Sequence, residues 1–310
     1  MKAAQIAQYG ENAIQVMEVE KPTLDTGRVL VEVRAASINP FDVKLAEGFY
    51  GDSLGLTLPA TLGSDVAGVV AEVGHDVTGF EVGQSVFGMA NAGGGQGSIA
   101  EFTPVKASQL AAKPQTADFV AAAALPLTGV SAYQALVDHM DLQAGQKILI
   151  HGGAGGIGSL AIQIAKNIGA YVATTAAAED AEFVRQLGAD EAIDYKTQDF
   201  SQLLHEYDAV FDAVGGETNQ KSYRVLKNGG AFVSMLEAPN EELVTAKNIR
   251  YTQQQSQATP ERLQKVAELV DAGQLKVHVD KVFPLDQAAE AFRHWRHEHP
   301  RGKVVIQIAD

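Results

Sequence analysis

The sequence predicts an α/β protein: a β-rich first domain, a doubly wound parallel sheet, and a short closing segment. Two observations carry this. Lys147-Ile148-Leu149-Ile150 is a short apolar run that breaks into His151-Gly152-Gly153-Ala154-Gly155-Gly156-Ile157-Gly158. Leu160, Ala161, Ile164, Ala165 and Ile168 then recur at helical spacing up to Gly169. An unbroken apolar run suits a parallel strand covered on both faces, the spacing suits a helix, and a glycine at its end suits a left-handed cap. Beyond this turn, strands and helices alternate for about 110 residues, the pattern of a doubly wound sheet.

The turn itself points to a ligand. Gly153, Gly155 and Gly158 match G-x-G-x-x-G, a weak pattern alone. Between a strand and a helix it reads as a dinucleotide fingerprint, because no side chain blocks the turn and a pyrophosphate can rest on free N–H groups at the helix start. Gly153, Ala154, Gly155, Gly156, Ile157 and Gly158 are therefore the expected cofactor contacts. The alternative is a glycine-rich turn that holds nothing.

Taken in order, the segment after Met1-Lys2 reads at once as strand and shows no signal-peptide pattern. Val29–Arg34, Val66–Gly74 and Ser85–Gly88 are strands, many of these runs being separated by glycines or prolines. Gly93-Gly94-Gly95-Gln96-Gly97 is a loop that lacks the Gly-Lys-Ser/Thr ending of a phosphate loop. At Asp118 the texture changes to alanine-rich helix over Phe119–Ala124 and Val130–Met140. After the fingerprint the strands are Tyr171–Thr175, Ala192–Tyr195, Ala209–Val214, Ala231–Met235 and Asn248–Thr252. Helices fall at Phe183–Leu187, ending at Gly188, and near Phe200–His205. Thr259 caps a helix that Pro260 opens and that runs to Ala272-Gly273. Val277–Val279, Val282-Phe283 and Val304–Ile308 are strands again, with a helix from Leu285 to about His294.

Composition narrows the class. A chain of 310 residues suits two domains that each bury a core. Its longest apolar stretches, such as Phe119–Leu127, are too short to span a bilayer, so no membrane association is expected. Zero cysteines excludes disulfides, thiolate metal sites and thiol nucleophiles, and suits a cytoplasmic location. A net charge of −14 repels a phosphate backbone, which argues against nucleic-acid binding. No G-x-S-x-G elbow is present, so serine hydrolase chemistry has no support.

Four stretches carry a resemblance: Ala35-Ala36-Ser37-Ile38-Asn39-Pro40-Phe41-Asp42-Val43-Lys44, Gly63-Ser64-Asp65-Val66-Ala67-Gly68-Val69-Val70, Leu125–Tyr133, and His151–Gly158. With them the chain resembles, over nearly its whole length, the zinc-free branch of the medium-chain dehydrogenase/reductase superfamily, the quinone oxidoreductase (zeta-crystallin-like) group. The resemblance implies a GroES-like catalytic domain over 1–122, a Rossmann dinucleotide-binding domain over 123–274, and a segment 275–310 returning to the first domain. It also implies a homodimer. Zinc-using relatives carry a cysteine ligand where this chain has Asn39, and Gly-His-Glu where it has Gly63-Ser64-Asp65; their four-cysteine lobe has no counterpart. No metal is expected, since the thiolates and the histidine that would hold a Lewis acid are missing. What remains is an NADPH-dependent, zinc-independent oxidoreductase passing hydride to a quinone or an α,β-unsaturated carbonyl (enone), with hydrogen bonds stabilising the charged oxygen. Two other readings stay open: an enoyl-thioester reductase, and a non-catalytic NADP(H)-binding redox sensor or scaffold.

Residue roles follow from the same resemblance. Asn39 is a pocket donor for the substrate oxygen or the nicotinamide ribose; otherwise it is a strand-end asparagine in a local turn. Thr128 is a hydroxyl at the nicotinamide end or a helix-start cap. Tyr50 falls where related enoyl reductases place a proton donor, or is an exposed loop tyrosine. Asp42 and Lys44 either belong to a pocket network or, on the preferred reading, form a surface salt bridge. Thr175 ends the second strand without an acid at its tip, and Tyr195 matches a tyrosine that relatives place near a 2′-phosphate, so NADP(H) is preferred and NAD(H) is the alternative. The serine and lysine that such relatives offer after that strand are Ala176 and Ala178 here, while Glu179 and Asp180 read as first-turn residues of the next helix. Val214 joins the cofactor contacts at the end of the fourth strand, and Ser234 and Leu236 are nicotinamide-side contacts. His294, His297 and His299, among Arg293, Arg296 and Arg301, read as a solvated basic helix end in preference to a metal site or a patch touching the cofactor phosphate.

Overall fold

The structure, a computed structural model, describes residues 1–309, apart from the side chains at 51 and 52. The chain divides into two compact units: Met1–Leu127 with Ala258–Gly273 and the chain from Val277 onward, and Thr128–Gln257 with Gln274–Lys276. The expected divisions at 122/123 and 274/275 differ from this chiefly at one helix. Pro260–Asp271, expected in the second domain, belongs to the first unit, where the Asp271 carboxylate accepts from the Gln115 and Thr116 N–H groups at 3.1 and 2.8 Å.

The first stretch of chain forms β1 (Lys2–Ile6), β2 (Ile14–Glu18), β3 (Arg28–Ser37), α1 (Pro40–Glu47), α2 (Gly51–Leu54), β4 (Ala60–Thr61), β5 (Asp65–Val73), β6 (Ser85–Met89), β7 (Phe102–Lys106), β8 (Leu110–Ala112) and α3 (Phe119–Ala123). β3 is the hub. Its valines Val29, Val31 and Val33 bury against Val66, Val70, Val86, Val105 and Leu110, the inward half of a strand pattern. β5 pairs along one edge of β3, while β7 takes the first half of the other edge at Arg28–Glu32.

The second unit continues from α4 (Pro126–Tyr133) through β9 (Lys147–Ile150), α5 (Gly156–Ile168), β10 (Tyr171–Ala176), α6 (Ala181–Gln186), β11 (Glu191–Asp194), α7 (Phe200–Leu203), β12 (Tyr207–Asp212), α8 (Glu217–Val225), β13 (Leu226–Ser234), α9 (Glu241–Lys247) and β14 (Arg250–Gln253). All six strands are parallel, in the order β11-β10-β9-β12-β13-β14. The helix expected over 130–140 is not uniform. Its residues Gln134–His139 widen into a π-helix, with Met140 N–H donating to the Ala135 carbonyl. Buried Gln134 lies there and donates to the Gln255 carbonyl at 3.2 Å, while its oxygen accepts from Gln257 N–H at 3.0 Å. Two helices that the sequence reading leaves out have weak apolar faces. α8 buries Asn219 and Ser222 beside Tyr223 and Val225, and α9 buries no residue fully.

The chain then returns to the first unit with α10 (Pro260–Asp271), β15 (Val279–Pro284), α11 (Ala288–His297) and β16 (Lys303–Gln307). Thr259 accepts from Arg262 N–H as the expected cap of α10. β16 pairs with the second half of β3, Ala35–Ser37, and β15 adds beyond it as the sheet edge. Phe283, Phe292, Val304 and Ile306 complete a core with Ala4, Ile6, Ile38 and Leu62. The basic end of α11 is paired in part, His294 meeting Asp280 and Arg296 meeting Glu11 and Glu47, while Arg293, His297 and His299 are exposed. Among the described residues no helix is long and apolar enough to cross a membrane.

Candidate active site

β9 lies between β10 and β12, where the strand order reverses, and the chain leaves the sheet there at His151. Ligands of doubly wound sheets sit beyond the carboxyl ends of the strands at such a point. Gly152 takes φ +70°, a region that suits glycine. A Cβ on Gly153 would lie 2.1 Å from Thr174 Oγ1, and one on Gly158 would lie 2.2 Å from the Gly152 carbonyl oxygen. A Cβ on Gly155 would meet only that carbonyl, at 3.4 Å, so its bareness serves what lies over the turn. α5 starts at Gly156, and the N–H groups of Gly156, Ile157 and Gly158 have no acceptor within the helix, as at any helix start. These residues fit a dinucleotide pyrophosphate.

Behind the turn a hydrogen-bond chain fixes its shape. The Ser222 hydroxyl donates to the Thr218 carbonyl at 2.7 Å, so its oxygen accepts from His151 Nε2–H at 2.9 Å. His151 Nδ1 is then the acceptor for the Thr175 hydroxyl at 3.1 Å, and Thr175 Oγ1 in turn accepts from Gly152 N–H at 3.2 Å. Burial pushes the His151 pKa down to about 4, which keeps the ring neutral in this chain. Asp212, fully buried, plays the same part for the next strand. One oxygen accepts from Val214 and Gly215 N–H at 2.9 and 3.0 Å, and the other from the Asn219 amide at 2.9 Å.

Beyond the strand ends lies a cleft of about 590 Å³, lined among others by Gly152, Thr175, Tyr195, Val214, Lys196 and Lys221. Tyr195 and Val214 are 59% and 51% exposed, unusual for such side chains and suited to stacking against a ligand. Lys196 pairs with Glu179 at 2.7 Å, and Lys221 with Glu217 at 2.9 Å and Asp199 at 3.2 Å. Glu179 pairs with Lys196 and lies, as expected, in an acidic first turn, the 3-10 turn Ala178–Asp180 that leads into α6.

The first unit holds a second polar cluster, buried where β3, α1, β5 and β16 meet. Asp65, with no exposed surface, accepts from Ser37 Oγ, Asn39 Nδ2 and Leu127 N–H, each at 2.9 Å. Lys303, 3% exposed, donates to the Ile38 carbonyl at 2.9 Å, to Asn39 Oδ1, and to Asp65 at 3.3 Å. Burial pulls the Lys303 pKa down, and Asp65 and Asp42 oppose that pull. Asp42 is buried too, in a polar network, which corrects the preferred reading of it as a surface salt bridge. Its oxygens accept from Ser64 Oγ at 2.7 Å and Asn39 N–H at 2.9 Å, and burial raises its pKa to about 7.

The expected site residues therefore stand as follows. Gly153–Gly158, Thr175, Tyr195 and Val214 gather around one cleft and its turn. Ser234 is buried, and its oxygen accepts from Leu236 and Glu237 N–H at 3.2 and 3.1 Å, so the hydroxyl shapes the turn that presents Leu236. Thr128 is buried in the first turn of α4. Asn39 caps α1, with its amide held by Asp65 and Lys303. Tyr50 is neither free nor fully exposed: it stacks on Phe41 with ring centroids 5.3 Å apart. The sequence reading passed over His151, Lys196, Lys221 and Lys303. Only His151 carried a local signal, as the polar residue ending an apolar strand. Among the described residues no group of three or more His, Asp or Glu side chains is placed to hold a metal ion.

A two-unit α/β chain with this turn at the switch point is of the dinucleotide-binding class. Residues 25–115 match the family described as alcohol dehydrogenase GroES-like domain, and residues 187–306 match that described as zinc-binding dehydrogenase. The chain is 38% identical to the NADPH-dependent alkenal/one oxidoreductase, chloroplastic, of Arabidopsis thaliana, over 99% of this chain and 79% of the relative. It superposes on the quinone oxidoreductase of Coxiella burnetii with a TM-score of 0.93 at 33% identity, over 99% of each chain. On the Escherichia coli quinone oxidoreductase, complexed with NADPH, the TM-score is 0.89 at 25% identity, over 99% of this chain and 100% of the other. The chain belongs to the medium-chain dehydrogenase/reductase family.

Proposed function

We propose that this protein is an NADPH-dependent reductase of quinones and α,β-unsaturated carbonyls. The carrying observation is the turn at Gly152–Gly158, where two glycines leave no room for a side chain beneath a ready anion site. The names of the relatives, an alkenal/one oxidoreductase and two quinone oxidoreductases, support the acceptor class. When bound, the dihydronicotinamide supplies the hydride. The chain's own residues bind and orient. The turn holds the pyrophosphate, and Thr175, Tyr195 and Lys196 face the adenosine ribose. In the first unit Asn39 and Tyr50 serve the acceptor, where an amide hydrogen steadies the oxygen on which charge develops; in the second, Thr128 serves the nicotinamide. The test is NADPH oxidation across a panel of quinones, 2-alkenals and enones. Tight NADPH binding with no turnover on any of them overturns the reading in favour of a non-catalytic binder.

Two further outcomes are expected. The absence of thiolates, and of any ready cluster of ligands among the described residues, predicts that dialysis against a chelator leaves turnover within about twofold of the untreated rate. A lost rate restored by zinc would contradict this. For cofactor choice, Lys196 is the cation in the cleft nearest in sequence to Tyr195, and its exposed pairing with Glu179 costs little to give up. Lys196→Ala is expected to weaken NADP⁺ binding about tenfold, roughly 1.4 kcal/mol, and leave NAD⁺ unchanged in calorimetry. Equal losses for both would remove Lys196 from the 2′-phosphate. The reading also includes a homodimer, which light scattering at the mass of two chains checks.

A further inference from the structure

Lys303 is the most deeply buried cation of the chain's first unit, and its surroundings are more specific than a charge balance requires. An ammonium has three donors, and here three acceptors face it: the Ile38 carbonyl, Asn39 Oδ1 and Asp65 Oδ2. Asp65 in turn takes the Asn39 nitrogen at 2.9 Å. The Asn39 amide is therefore clamped between opposite charges, oxygen on the cation and nitrogen on the carboxylate. A flipped amide would set N–H against the ammonium and oxygen against the carboxylate, so one orientation survives. Asn39 Nδ2 carries a second hydrogen beyond the one given to Asp65. Its direction is thus set by a residue 264 positions away in the chain.

We propose that Lys303 is a positioning residue for the reduction: with Asp65 it locks the Asn39 amide so that its remaining N–H is aimed at the acceptor oxygen. This rests on the reading of the protein as a quinone and enone reductase with Asn39 as the donor. Lys303 touches neither cofactor nor acceptor in this role; it acts through Asn39.

The experiment is a cycle of Lys303→Met, Asn39→Ala and the double variant, in the full-length protein. Each is assayed for kcat and KM with an enone that the wild type reduces, and for NADPH affinity by calorimetry. Lys303→Met is expected to lower kcat about tenfold or more in the wild-type background and by less than about twofold once Asn39 is alanine. For Lys303→Met, NADPH affinity is expected to stay within about twofold, because none of the hydrogen bonds of Lys303 involves a residue of the nucleotide turn. Equal losses from Lys303→Met in both backgrounds, or an unchanged kcat, overturn the proposal.

Removing Lys303 alone leaves a buried carboxylate without its cation, which is strongly destabilising. Lys303→Met/Asp65→Asn keeps the cluster neutral and is the second arm. It is expected to regain the wild-type melting temperature and not the wild-type kcat. Recovery of both makes Lys303 structural and overturns the positioning role. A wild type that binds NADPH yet reduces no acceptor sinks the functional reading along with the proposal, whereas an active wild type with additive effects sinks the proposal alone.

Discussion

Gly158→Ala is expected to cut NADPH affinity about ten- to hundredfold. The added methyl would sit 2.2 Å from the Gly152 carbonyl oxygen and 2.8 Å from its carbon and from Gly153 Cα, all backbone atoms of the turn. None can yield without moving the surface on which a pyrophosphate rests. Overpacking of this kind costs about 1–3 kcal/mol, and when relief comes by shifting the turn, the cost falls on binding. Gly155→Ala is the matched control for folding. Its methyl has an ordinary contact and its φ is −77°, so the melting temperature should hold, while any loss of affinity reports a ligand lying over the turn. Calorimetry with NADPH checks both. A Gly158→Ala protein that binds like wild type would show that the turn is not the site.

The second large effect concerns pH. Asp42 has its pKa raised from 3.8 to about 7, chiefly by burial, against the hydrogen bonds from Ser64 and Asn39 and with added repulsion from Asp65. Between those values the folded chain holds a proton that the unfolded chain has released. Stability from this group is fully present below about pH 3.8 and is lost as pH rises through about 7, to a total of about 4 kcal/mol. Other carboxylates act in the opposite sense. Asp190 and Asp208, held low by Lys166 and Lys227, lose their contribution as pH falls. The measurement is therefore a difference: urea unfolding of Asp42→Asn and wild type across pH 4 to 8. The variant's stability relative to wild type should climb with pH, since its amide never ionises. A constant difference would show that Asp42 is ionised throughout.

Local patterns made much of the second unit legible before any coordinates. Ile148–Ile150, the glycines and the spaced apolar residues up to Gly169 all lie within about six turns of helix or strand, and short-range sterics decide them. Thr259-Pro260 likewise declares its helix through capping chemistry. α8 stayed hidden because half of its inward face, beside Tyr223 and Val225, is Asn219 and Ser222, which hydrogen-bond into Asp212 and His151. The cluster around Lys303 was hidden for a different reason. It exists only because β16 docks on β3 at Val305–Ser37 and β5 docks opposite at Ser37–Asp65. Strand register over such separations is tertiary information. Before Val304-Val305-Ile306, a lysine reads as a solvated strand end. Asp42 was misread by the same logic, as a charged residue near Lys44, although its position three after Asn39 is that of a helix-capping acid. The convergence of Lys196 and Lys221 on one cleft depends on β11 and α8 coming together, which neither segment announces alone.

The late arrival of β16 also sets an order of assembly as the chain leaves the ribosome. The nucleotide-binding unit is one nearly continuous stretch, Thr128–Gln257, finished early apart from Gln274–Lys276. The unit that begins first in synthesis must wait: until Phe283, Phe292, Val304 and Ile306 emerge, the core that Ala4, Ile6, Ile38 and Leu62 begin lacks part of its cover, and Asp65 lacks Lys303. The older half of the nascent chain is thus the younger fold, and a stalled or shortened polypeptide would carry a finished nucleotide cradle and an incompletely covered first unit.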